Sequence, residues 1–303
     1  MFYLAAVFGV ARRSTDIEMI TDVHTHLVSV SADAPELRLN FCNRVLRRLL
    51  HIGTSAELRE RFRRELFEGP VERAVVCAVE NSPLAAGNRE VRDFCHDNPG
   101  FLYGANLDPC SSSVESDIDA AVRDGAVLLN LMPSYQNVDP SDPRCDRFWD
   151  VVAERRLPVI VHTGPEHSLL GGDDRFNSPD RLERAAGKGV VLICAHCGCQ
   201  LVSFVERSHF GAWKRLVRRY PNVYGDVSGF SGCVRRFWLG RILRDPLLRS
   251  RIVFGTDYPS CVHVFRRNRE NQFAAWYGFF RDVGLDDDFF SRGSRLLRLE
   301  GQS

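Results

Sequence analysis

Eight short apolar runs, rich in β-branched residues and ending in polar ones, recur along the 303-residue chain with helical stretches between them. They are residues 19–27 (MITDVHTHL), 71–80 (VERAVVCAVE), 101–109 (FLYGANLDP), 126–134 (AVLLNLMPS), 157–165 (LPVIVHTGP), 190–198 (VVLICAHCG), 222–229 (NVYGDVSG) and 251–259 (RIVFGTDYP). Residues 89–98, 113–124, 145–156, 178–187, 201–220 and 233–249 alternate apolar and charged positions at helical spacing. Ser113 is placed to cap the second of these. Near-continuous apolar strands alternating with amphipathic helices need a parallel sheet covered on its outer face. Eight such units predict an α/β fold of the (β/α)8 TIM barrel type. An open doubly wound sheet is the alternative, but no G-x-G-x-x-G follows the first strand.

The connection spanning residues 34–69 is long enough for two helices and reads as a helical insertion after strand 1. Its arginine clusters fit solvated helix faces, or a cap over the barrel mouth. Residues 268–299 should supply the eighth helix and a C-terminal one. With no linker or low-complexity run in between, residues 19–303 are expected to form a single domain, preceded by an extension over residues 1–18. That extension has a short apolar stretch without a basic start, so a signal peptide is not expected.

Charge narrows the function classes. Lys+Arg is 40 and Asp+Glu 39, so no global field recruits nucleic acid or an anionic membrane. Arg215, Arg218 and Arg219 fall at helical spacing and read as one solvated face. The ten cysteines are diluted over the chain, and Cys77 and Cys194 lie in apolar runs. Buried free thiols in a cytoplasmic protein are the expectation. Only Lys188 and Lys214 are lysines.

Polar residues suited to metal chemistry cluster where the strands end: His24 and His26 on the first, His162 on the fifth, His196 on the sixth, Asp257 on the eighth. In a (β/α)8 barrel that end carries the active site, so residues distant in sequence converge. His24 and His26 alternate onto one side of a strand and can grip one ion, or serve as polar caps at the strand mouth. A histidine closing a buried strand, as His162 does, needs a polar partner. His196 has the same form; alternation puts Cys194 on its face and Cys197 on the other, and the cysteines around it are assigned to packing. Asp257 can ligate an ion, accept a proton from water, or cap a turn before Pro259. Asp226 can orient a ligand histidine or cap its strand.

Taken together, DVHTHL, LPVIVHTG, AHCG, VYGDVSG and FGTDYP resemble the amidohydrolase superfamily, in the amidohydrolase-related branch that includes the aminocarboxymuconate semialdehyde decarboxylase-like enzymes. The resemblance implies that His24, His26, His162 and Asp257 hold one divalent ion, usually zinc, and that His196 meets the attacking water or the substrate. It implies a homodimer as well. Relatives often place a lysine or arginine near Asn130, and many bridge two metals with a carbamylated lysine. Neither lysine here can reach the mouth, so a mononuclear site is predicted. The resemblance implies metal-assisted hydrolysis of a small organic substrate, with Asp257 as base and His196 as oxyanion stabiliser. Non-oxidative decarboxylation of an aromatic or unsaturated acid is the alternative; Arg175 reads as a solvent-exposed loop charge or as a candidate for its carboxylate. A metal-free, ligand-binding descendant is a third reading. Substrate choice should depend on residues 34–69, on the loop 163–180 with His167, and on Tyr135 and Tyr258.

Overall fold

The computed structural model describes residues 19–33, 54–165, 173–200, 207–230, 233–259 and 271–299. Eight parallel strands follow one another around a barrel: β1 Thr21–Thr25, β2 Arg73–Cys77, β3 Phe101–Asn106, β4 Ala126–Leu131, β5 Val159–Val161, β6 Leu192–Cys194, β7 Val223–Asp226 and β8 Ile252–Val253. The seam between β8 and β1 is closed past the end of β8. Val23 N donates to Phe254 O (3.1 Å), Asp257 N to His24 O (2.7 Å) and His26 N to Tyr258 O (2.6 Å). The expected (β/α)8 TIM barrel is the observed fold.

The helices are α1 Ser55–Glu68, α2 Asn88–Asp97, α3 Val114–Arg123, α4 Pro133–Gln136, α5 Asp146–Arg155, α6 Glu183–Gly187, α7 Phe210–Arg219, α8 Cys233–Leu243, α9 Pro246–Arg249, α10 Gln272–Asp282 and α11 Asp287–Leu296. Helix α1 is the second half of the expected insertion. Its start is fixed by a capping box in which Glu57 N donates to Thr54 Oγ1 (3.2 Å) and Thr54 N to Glu57 Oε2 (2.7 Å). Residues 34–53, the remainder of that insertion, and residues 1–18 lie outside the described residues. Helices α10 and α11 are the expected C-terminal pair.

Two helical expectations need correction. Residues 178–187 form a 3-10 turn, Pro179–Leu182, before the single-turn α6. The stretch 233–249 is two helices, since Pro246 breaks it and Asp245 caps the second one. Ser113 does precede α3, but its hydroxyl bonds Asp117 Oδ2 (2.9 Å) rather than a helix N–H.

Strand alternation divides the core in two. Val23, Val75, Cys77, Leu128, Ile160, Ile193 and Val253 fill the barrel, joined by Leu297 and Leu299 from the C-terminal segment. Ala74, Val76, Leu129, Leu131, Val159 and Val161 face outward against Phe148, Trp149, Trp213 and Trp276. Among the described residues, no helix is long and apolar enough to cross a membrane.

Gly225 on β7 shows how closely the outer layer approaches the wall. A Cβ there would stand 2.6 Å from Cys197 Sγ and 2.8 Å from the Trp213 ring. We expect Gly225→Ala to destabilise the fold by about 1–3 kcal/mol through overpacking, measured by urea unfolding. A midpoint equal to the parent's would show that Trp213 can yield.

Candidate metal centre

A bulge in β1 aims the first donors. Asp22 pairs with Ala74 but Thr25 with Val76, so three steps along β1 match two along β2. The extra residue turns His24 towards the mouth, where Nδ1 donates to Asp226 Oδ2 at 2.8 Å. His26 Nδ1 donates to Cys77 O at 2.9 Å. With both Nδ1 atoms so engaged, the two Nε2 atoms face each other 3.1 Å apart. Asp257 Oδ1 stands 3.7 Å from His24 Nε2 and 3.5 Å from His26 Nε2.

These three residues are the one group of potential ligands close enough to share an ion among the described residues. Two ring lone pairs at 3.1 Å repel unless a proton or a cation lies between them. A tetrahedral ion with ligand bonds of 2.0–2.1 Å sets its ligands about 3.3–3.4 Å apart, and the three observed separations bracket that value. The donor set therefore fits a divalent ion. Asp257 is buried and held at φ +59°, a left-handed conformation that a non-glycine residue adopts at a cost. Its N–H bond to His24 O fixes it there.

Two carboxylates hold the frame. Asp22 is fully buried, with Oδ1 accepting from His24 N (3.0 Å) and Thr256 N (3.1 Å) and Oδ2 from Thr256 Oγ1 (2.7 Å). Burial, against those bonds, pushes its pKa up to about 7. Asp226 is buried just as completely. Its Oδ1 accepts from His196 N (2.9 Å), Ser228 N (3.0 Å) and the Ser228 hydroxyl. Burial alone would raise its pKa, but the charge and hydrogen bond of His24 outweigh it and hold the carboxyl well below the usual range. Reciprocally, burial pulls His24 down but Asp226, aided by Asp257 and Asp22, raises it to about 9.

His196 leaves β6 through a left-handed turn, with φ +58° at His196, +51° at Cys197 and +68° at Gly198. Thr163 clamps this turn, donating Oγ1 to Ala195 O (2.6 Å) and accepting from Gly198 N (3.0 Å). The turn breaks strand alternation. Cys194, Cys197 and Cys199 therefore all pack in the outer layer, and Cys194 does not share the face of His196. The ring of His196 lies 5.5 Å from that of His24.

Arg235, only 4% exposed, donates Nη1 to His196 Nδ1 at 2.9 Å and to Ser228 O at 3.2 Å. Gly229 makes room for it, because a Cβ there would stand 2.3 Å from Arg235 Nη1. Burial first, and the Arg235 charge second, hold the His196 pKa well below its ordinary value, so the ring is neutral. Among the described residues no carboxylate lies within ion-pair distance of Arg235. Sequence reading missed Arg235, Ser228, Asp22 and Thr256; all but Arg235 lie inside the runs DVHTHL, VYGDVSG and FGTDYP.

The other expected site residues divide. Asp226, expected either to orient a histidine or to cap its strand, accepts from His24 Nδ1 and from the backbone of His196 and Ser228. His162 follows β5 with its N–H on Leu131 O (2.8 Å) and its ring edge-on to His196 at 5.2 Å, so it faces the same centre but stands outside the tight group of three. Asn130 has its amide tied between strands, donating to Ala78 O (2.9 Å). Arg175 is not at the centre: its side chain is 83% exposed and ion-paired to Asp173, two residues away. His167 lies outside the described residues. Lys188 pairs with Asp150 at the surface and Lys214 lies on α7. Tyr258 packs against both Phe62 and Phe273, and the Tyr135 hydroxyl donates to Asn81 O (2.7 Å).

The chain belongs to the amidohydrolase family, whose sequence model matches residues 21–275. No curated protein matches it. Solved structures share the fold at low identity. A probable 2-pyrone-4,6-dicarboxylic acid hydrolase from Acinetobacter baumannii with citric acid bound is 14% identical, with TM-score 0.63, covering 92% of this chain and 99% of its own. The 2,6-dihydroxybenzoate decarboxylase from Rhizobium is 16% identical, with TM-score 0.59 and coverages of 94% and 100%. An amidohydrolase from Burkholderia multivorans with bound zinc is 12% identical, with TM-score 0.64 and coverages of 92% and 99%.

Two outcomes follow from this geometry. A cation taking His24 Nε2 must displace the proton that Asp226 favours there, so metal affinity should rise about tenfold per pH unit between pH 6 and 8. Competition against a chelator of known pH dependence measures this; a flat profile would exclude His24. Asp226→Asn should weaken metal binding by about 10–100-fold while preserving the fold, read by calorimetric titration and circular dichroism.

Proposed function

We propose that the protein is a metal-dependent hydrolase of a small organic substrate. The observation that carries this reading is the convergence of His24, His26 and Asp257 from opposite ends of the chain onto one point. In our reading zinc occupies that point as a single ion, with His162 as a fourth donor, since both lysines that could bridge a second ion lie elsewhere. The ion supplies Lewis acidity and brings the pKa of water down towards about 7.

The chain's own residues do the rest. Asp257 accepts the proton of the attacking water and returns it to the leaving group. An arginine can only donate, so the bond from Arg235 leaves His196 Nδ1 as the acceptor and puts the ring proton on Nε2. His196 then donates to the oxygen on which negative charge develops, without itself gaining a charge. Arg235 is thus a positioning residue.

One observation favours decarboxylation as the second reading. A guanidinium buried without a carboxylate partner among the described residues is costly, and a substrate carboxylate near His196 would compensate it. The fold is shared with a decarboxylase as well as with a probable hydrolase.

A panel of lactones, amides and aromatic acids, assayed with the zinc-loaded protein for acid release and for carbon dioxide, separates the two. Hydrolysis predicts a new carboxylate from a lactone or an amide without carbon dioxide. Asp257→Asn should lower kcat by about 10²–10⁴-fold at equal metal content. Undiminished turnover in that variant would remove Asp257 as the base.

A further inference from the structure

We propose that Cys110 and Cys145 form a thiol–disulfide modification site that responds to low-molecular-weight disulfides. Their Sγ atoms are 3.0 Å apart, inside the sum of two sulfur van der Waals radii, although the residues are 35 positions apart in sequence. Both are free thiols. No other cysteine pair among the described residues brings its sulfurs so close. Neither residue belongs to the metal centre.

The backbone on each side is anchored. Cys110, on the loop after β3, donates its N–H to Asp108 Oδ1 at 2.9 Å. Cys145, at the start of α5, donates its N–H to Asp142 O at 2.9 Å, and its sulfur lies 3.6 Å from Asp139 O. The pair is therefore held together by the fold in its reduced form, and bridging needs only a small approach of the two sulfurs.

Exposure assigns the order of steps. Cys145 is fully buried, and burial together with its contact to Cys110 holds its thiol up, out of the thiolate range. Cys110 is half-buried and reachable. The Cys110 thiolate attacks one sulfur of the oxidant, breaks its S–S bond and expels one thiolate, leaving a mixed disulfide on Cys110. Cys145 then attacks the Cys110 sulfur and expels the second thiolate, which takes up the proton that Cys145 gives up. Two protein thiols are oxidised by two electrons, and the oxidant is reduced to two thiols. The bridge ties the loop after β3 to the start of α5 and encloses α3, β4 and α4 between its ends.

The test treats the full chain with oxidised glutathione, then blocks remaining thiols and maps peptides without reduction. We expect a linked Cys110–Cys145 peptide, loss of the mass of two hydrogen atoms, and reversal by dithiothreitol. The bridged form should melt roughly 5–10 °C higher than the reduced form. In Cys145→Ser the second step is removed, so a glutathione adduct should persist on Cys110. Cys110→Ser, a change at the more exposed partner, should leave the reduced protein's melting unchanged and abolish the link. A lasting glutathione adduct on Cys110 of the parent protein, or recovery of both cysteines as blocked monomers with no linked peptide, would overturn the proposal.

Discussion

The site depends on one buried anion. Asp226 has no solvent of its own, and its charge is tolerable only because it accepts from His24 Nδ1 and from two backbone N–H groups. Those bonds reach β1, the turn after β6 and the end of β7 at once. They set the tautomer of a metal-facing imidazole and the backbone direction of a second histidine. Removing the carboxylate charge would release both, although Asp226 is not itself one of the three grouped donors.

Much of this was legible in the chain. Near-continuous apolar runs alternating with amphipathic helical stretches pointed to the barrel and its order, because strands covered on both faces and half-buried helices leave different patterns. Strand ends gave His24, His26 and Asp257, because a barrel gathers those ends. Three kinds of information were not legible. Arg235 lies on α8, where one more arginine in an arginine-rich helix carries no local mark. The left-handed turn at His196 depends on Thr163 and Asp226, both remote in sequence, so alternation misplaced Cys194. Arg175 looked like a mouth residue, but a carboxylate two positions away captured it at the surface.

Hydrolysis and decarboxylation divide at His196 and Arg235. Both reactions can use an ion held by His24, His26 and Asp257, and both develop negative charge beside it. What differs is whether a substrate carboxylate must be received. A neutral imidazole donor suits either reaction, whereas a buried guanidinium with only an imidazole and a carbonyl as partners is the more discriminating feature. Relatives of the same fold span both chemistries, so the answer lies in these few side chains and not in the barrel.

The two halves of the wall are built differently. Strands β1 to β4 run five or six residues, whereas β5, β6, β7 and β8 run three, three, four and two. On the short side the ladder is completed by side chains: Thr163 to Ala195, Asp226 to His196, Asp22 to Thr256. The side chains that frame the candidate site there also tie the wall. The opposite half has longer backbone ladders, to which Thr25, Asn106 and Asn130 add bonds to Val75 O, Asn130 O and Ala78 O, so each side-chain tie carries a smaller share of its wall.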